Sequence, residues 1–147
     1  MSDSVLLTRD EIEKIIPHRD PILLVDEVLE MESGQSITAK FFVGPERDIF
    51  RGHFPSEPIF PGVYTIESMA QAASVLILSL EEYKGLLPLF LGVDKVSFKK
   101  KIKPGDELIL KAKVEKHNTA KAVAVFSAEV YVGEDLVATG EVALAMR

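Results

Sequence analysis

The 147-residue sequence contains no cysteine. That excludes disulfides, thiolate nucleophiles and cysteine-ligated zinc, and it fits a reducing compartment. Excess positive charge is also missing. Lys and Arg number 17 against 23 Asp and Glu, a formal net charge of -6, which argues against a general nucleic-acid binder, since such a protein needs a basic face. There is no long unbroken apolar run either. The stretch from Val63 to Leu80 is interrupted by Glu67, Gln71 and several hydroxyls, so it reads as a buried helix rather than a membrane span. Met1-Ser2-Asp3-Ser4 supplies no basic segment leading into an apolar run; no signal peptide is expected, and a cytoplasmic location is the default. Repeats, low-complexity tracts and linkers are lacking as well, so residues 1–147 are expected to form one domain. A domain of this length buries about 68–70% of the surface its unfolded chain exposes.

What is present reads as one long helix among strands. Thr8 and Glu11 form a capping-box pattern, predicting a short helix from Arg9 to Ile16 that Pro17 ends. Ile22 to Met31 and Ser36 to Val43 are strand candidates joined by a turn at residues 32–35. Pro45 to Phe60, rich in Pro, Gly and charge, reads as an ordered loop. The helix candidate, Gly62 to Glu82, is apolar nearly all round, the pattern of a helix buried on every side. Beyond it, Leu108, Leu110, Ala112 and Val114 alternate with Ile109, Lys111, Lys113 and Glu115, a period-2 strand pattern. Lys121 to Val132 and Leu136 to Met146 are two more strands, linked by the short Gly133-Glu134-Asp135 connection. An α+β domain follows, its antiparallel sheet wrapped around one helix.

The chemistry concentrates between Ile49 and Ala72. Glu67 is the only charged residue from Pro58 to Leu80. Burial there would disfavour its charged form and keep the neutral acid that a general acid needs near neutral pH; an exposed spot on the helix is the plain alternative. Gln71, at i+4, shares its stripe and could orient the carboxyl group, or could be ordinary polar satisfaction in a crowded interior. His53 lies in a Gly-His-Phe-Pro loop. Histidine is the usual proton carrier near neutral pH, although a single loop histidine is more often structural. Its neighbours Phe54, Pro55, Pro58, Phe60 and Pro61 make a stiff, dry approach to the helix carrying Glu67. Pro61-Gly62 opens that helix, where unpaired N–H groups suit a developing oxyanion and glycine admits a ligand close to the backbone; alone it would be a simple helix start. Together these parts suit removal of a proton α to a thioester carbonyl and protonation of a departing β-hydroxyl. No metal or redox cofactor is expected. Lys95, Lys99, Lys100, Lys101 and Lys103 cluster in one segment of an acidic chain, either a solvated strand end or a docking site for an acidic partner.

With these residues in place, the chain closely resembles the FabZ-type (3R)-hydroxyacyl-acyl carrier protein dehydratases of type II fatty acid synthesis. The resemblance spans nearly the whole chain: Ile16-Pro17-His18-Arg19, Leu23-Leu24-Val25-Asp26, Gly52-His53-Phe54-Pro55, Pro61-Gly62-Val63, Glu67-Ser68-Met69-Ala70-Gln71-Ala72, the segment from Gly92 to Phe98, and Pro104-Gly105-Asp106. It implies a hotdog fold, a homodimer often assembled into a hexamer, and an active site at the dimer interface. His53 of one subunit would take the α-proton, Glu67 of the other would help expel the hydroxyl, and the Gly62 amide would hold the thioester oxygen beside Val63 and Gln71. Phe60 and Tyr64 would flank the acyl channel and bear on chain length. Arg51 and the Lys95–Lys103 segment would receive an acidic acyl carrier protein. Within the same signature His18 reads as structural, packing the N-terminal helix against the sheet, and His117 reads as solvated. A hotdog thioesterase, an inactive acyl-binding module, and the same dehydration in a specialised lipid or polyketide pathway are the competing readings.

Overall fold

The computed structural model describes residues 4–147. A capped single-turn helix, α1 (Arg9–Glu13), leads through an extended segment to strands β1 (Glu27–Glu32) and β2 (Ser36–Phe42). A loop with one 3-10 turn (Asp48–Arg51) precedes the long helix α2 (Gly62–Leu78), and a second 3-10 turn (Glu81–Tyr83) follows it. Four strands complete the chain: β3 (Pro88–Phe98), β4 (Glu107–Asn118), β5 (Val123–Val132) and β6 (Asp135–Met146). They form one antiparallel sheet in the order β1-β2-β4-β5-β6-β3.

The capping box at α1 is complete: the Thr8 hydroxyl accepts from the Glu11 N–H and the Glu11 carboxylate accepts from the Thr8 N–H. The β5–β6 hairpin turns through Gly133-Glu134, with Gly133 at a φ of 61° that favours glycine, as a two-residue connection matched to strand twist requires. The period-2 pattern of β4 becomes one buried face, and its register carries that face across the sheet. Ile37 pairs with Ala112, Ala112 with Ala128 and Ala128 with Gly140. Gly140 is bare for a reason: a Cβ there would stand 3.1 Å from Val96 and 3.6 Å from the sulfur of Met69 on α2.

Helix α2 lies against this face and is buried continuously from Ser68 to Leu78. Ala70, Ala72 and Ala73 let it approach the sheet closely, while Val75, Leu76, Ile77 and Leu78 fill the core with Phe41, Phe126 and Leu110. Each fully buried large apolar side chain contributes roughly 1.5–3 kcal/mol. One sheet wrapped around one central helix is the hotdog arrangement. No helix among the described residues is long and apolar enough to cross a membrane.

Four expectations change. Helix α1 stops at Glu13, short of Ile16. Helix α2 ends at Leu78 rather than Glu82, because Ser79 caps it and a 3-10 turn follows. The segment Ile22–Val25, although apolar, is not yet strand. Its backbone bonds to α2 instead, as described below, and β1 begins only at Glu27. His117 is not fully solvated: it is half-buried, with Nε2 2.6 Å from the hydroxyl of buried Tyr83.

Candidate active site

The first turns of α2 emerge from the core. Val63 is 69% exposed, whereas Ser68 is fully buried. Glu67 sits at this boundary, half-buried rather than dry, with 28% of its side chain exposed. Its surroundings are polar. Gln71 Nε2 donates to Glu67 Oε2 at 2.8 Å, and His18 Nε2 lies 3.6 Å from the same oxygen.

Gln71 is completely buried and every hydrogen-bonding atom of its amide is used. Its Oε1 accepts from the Leu24 N–H at 2.6 Å, and its Nε2 donates to the Ile22 carbonyl at 2.7 Å as well as to Glu67. The Leu24 N–H can bond only to an oxygen, so the amide orientation follows from its partners. One turn earlier, the Ser68 hydroxyl donates to the Leu24 carbonyl at 2.6 Å. Two side chains of α2 thus take the place of a neighbouring strand for residues 22–24. They hold the segment after His18 against the helix and fix the direction of the Glu67 carboxyl group.

His53 is positioned by its own loop. The Ile59 N–H donates to the His53 carbonyl at 3.0 Å, and the His53 ring Nδ1 lies 2.8 Å from the Ile59 carbonyl. A carbonyl can only accept, so Nδ1 carries the hydrogen and the lone pair is on Nε2. The ring stacks on Phe54, centroids 4.0 Å apart. His53 and Glu67 share no hydrogen bond or ion pair within the chain.

Gly62 and Val63 begin α2, and their N–H groups have no acceptor inside the helix. A Cβ on Gly62 would meet the Phe98 ring at 2.8 Å, so only glycine lets that ring rest on the helix start. Gly62, Phe60, Thr65, Phe98 and Ile102 line an open cleft of about 880 Å³ whose rim carries Lys99, Lys100, Lys101 and Lys103. Phe60 is buried and packs against Phe41 and edge-on against Tyr64; Tyr64 does not line this cleft.

The cations expected to act together are spread out. Lys100 pairs with Asp135 at 3.2 Å and Lys101 with Glu57 at 2.7 Å near the cleft. Lys95 pairs with Glu141 in a separate groove on the sheet, and Arg51 pairs with Asp48 on the loop. Sequence reasoning missed His18 as a neighbour of Glu67. Its place in the Pro17-His18-Arg19 signature was the available signal, but the contact spans 49 positions of chain.

The structure thus holds a half-buried carboxyl group and free N–H groups at the start of a central helix, and a loop imidazole with one available nitrogen. The FabA-like domain model matches residues 16–141, and the chain belongs to that family. It is 43% identical over 141 residues to the 3-hydroxyacyl-[acyl-carrier-protein] dehydratase FabZ of Clostridioides difficile, covering 96% of this chain and 98% of the relative. It is 46% identical over 125 residues to the enzyme of the same name from Caldicellulosiruptor bescii, covering 82% and 89%. Among solved structures, a chain of the dehydratase heterocomplex ApeI:P from Xenorhabdus doucetiae superposes with a TM-score of 0.77 at 20% identity, covering 92% of this chain and 90% of that one. That likeness is one of fold.

Proposed function

We propose that this protein dehydrates (3R)-hydroxyacyl thioesters carried on acyl carrier protein, in type II fatty acid biosynthesis, with His53 of one subunit and Glu67 of its partner as the acid–base pair. The chain is a hydro-lyase of the kind its relatives are named for. The observation carrying the residue assignment is the bond from His53 Nδ1 to the Ile59 carbonyl. It leaves Nε2 as the basic nitrogen on a ring whose orientation is already set.

His53 Nε2 takes the proton from the carbon α to the thioester carbonyl. The electron pair of that C–H bond becomes the new α,β double bond as the C–O bond at the β-carbon breaks. The departing hydroxyl takes the proton of Glu67 and leaves as water. Negative charge that builds on the thioester oxygen is met by the Gly62 amide, with Val63 beside it. The proton on His53 and the charge on Glu67 then return to their starting state through solvent. No cofactor enters the reaction. The carrier protein docks at the lysine-rimmed cleft, and the acyl chain runs past Phe60.

Support for a shared site comes from β3. It is an edge strand of 11 residues, and Leu89, Phe90, Leu91, Val93 and Phe98 are all exposed on it. A long apolar edge invites another strand, and a second copy of this chain is the partner proposed. Further assembly of such dimers into a hexamer belongs to the same reading. His53→Ala and Glu67→Gln should each reduce formation of the enoyl thioester by on the order of 100-fold or more. Mixing the two inactive variants under conditions of subunit exchange should restore about a quarter of wild-type turnover, because each mixed dimer of a two-fold assembly contains one intact site. No recovery on mixing would mean that the pair is not assembled from two subunits. Release of free thiol without enoyl product would identify a thioesterase instead.

A further inference from the structure

The ring of His18 has two unequal nitrogens. Nε2 faces Glu67 Oε2 at 3.6 Å, while Nδ1 is buried with no hydrogen-bond partner among the described residues. A buried N–H without an acceptor is rarer and costlier than an unfilled lone pair, so the hydrogen belongs on Nε2, pointing at the carboxyl group. Protonating Nδ1 as well would create that orphaned donor. Consistent with this, burial holds the proton affinity of His18 below its ordinary value, with Arg19 adding to the effect and the Glu67 carboxylate opposing it.

Two N–H donors therefore converge on one oxygen of Glu67: Gln71 Nε2 and His18 Nε2. An oxygen that accepts one N–H and faces a second at 3.6 Å is the wrong place for the acidic hydrogen, which then sits on Oε1. We propose that His18 is a positioning residue which, with Gln71, reserves Oε2 of Glu67 as an acceptor and so presents the proton from Oε1 to the departing hydroxyl. When that proton leaves, negative charge develops on Glu67, and the 3.6 Å contact can tighten into a charge-assisted hydrogen bond. The contact is thus worth more in the transition state than in the ground state, and its loss falls on kcat rather than on KM. The inference rests on Glu67 being the acid of the dehydratase reading.

The test compares three variants of the full-length protein on a carrier-linked (3R)-hydroxyacyl substrate. His18→Gln places an amide N–H near the position of Nε2, His18→Asn places one near Nδ1, and His18→Leu removes the donor. Expected are a kcat close to wild type for His18→Gln and a loss on the order of 10- to 100-fold for His18→Asn and His18→Leu, the rate equivalent of one hydrogen bond to a charged group. KM should stay within about twofold throughout, as for an interaction made only in the transition state. Wild-type kcat in His18→Asn, or equal impairment of the Gln and Asn variants, would overturn the inference and leave His18 a packing residue. Full activity in His53→Ala and Glu67→Gln would instead remove the acid–base reading beneath it, so the two failures are distinguishable.

Discussion

His18 takes up a proton less readily in the folded protein than a free histidine does, because burial, reinforced by the Arg19 charge, outweighs the opposing pull that Glu67 exerts when ionised. An unfolded histidine takes up its proton near a pH of about 6.5. Below that pH the unfolded chain binds a proton that the native ring refuses, so stability present above about 6.5 is lost as the pH falls, until the lower folded value is reached. Urea unfolding at pH 7.5 and pH 5.5 should show a larger drop for wild type than for His18→Gln, whose side chain does not titrate. An equal drop in the two proteins would contradict a buried, neutral His18. The same residue shows where sequence reading stops at this scale. Glu67 and Gln71 are legible because a helix repeats every 3.6 residues and puts i and i+4 on one stripe. His18 is brought to them by Ser68 and Gln71 bonding to the backbone of residues 22–24, a tertiary arrangement without periodicity.

Among the elements, the two edge strands differ in how they are finished. β1 carries Glu27, Glu30 and Glu32 and is covered at Val28 by the N-terminal Leu6 and Leu7; charge and cover are the usual ways to close an edge. β3 has bulges near Leu91 and Lys95 but keeps its apolar residues outward. Leu91→Lys should therefore leave the fold intact by circular dichroism while shifting sedimentation toward the monomer and lowering dehydratase activity with it. A dimeric, active Leu91→Lys protein would place the subunit interface elsewhere. β3 was also the strand not read from the sequence, where only its Gly92–Phe98 motif and following lysines stood out. Consecutive Leu89, Phe90 and Leu91 and two bulges erase the alternation by which β4 was recognised. The segment Ile22–Val25 misled in the opposite sense. It is apolar and extended like a strand, but the polar side chains of α2 stand in for its neighbour.

At the scale of the whole molecule the fold was legible because its evidence is regular: one helix apolar nearly all round, one strand of clear period-2 alternation, and two further strand candidates joined by the short Gly133-Glu134-Asp135 connection. The site was legible as a set of residues but not as a place. His53 is tied to Ile59 and Glu67 to Gln71, and in the proposed reading the pair shares a substrate only when two subunits meet. A chain finished along one margin and open along the other also has a thermal behaviour that depends on company. Its melting temperature should climb as the protein is concentrated, because association draws folded copies out of the unfolding equilibrium. A melting temperature constant over a hundredfold range of concentration would show a self-sufficient monomer. If it does climb, the hazardous interval in the life of each molecule is the one just after synthesis, when the bare margin can adhere to any exposed strand before its twin arrives.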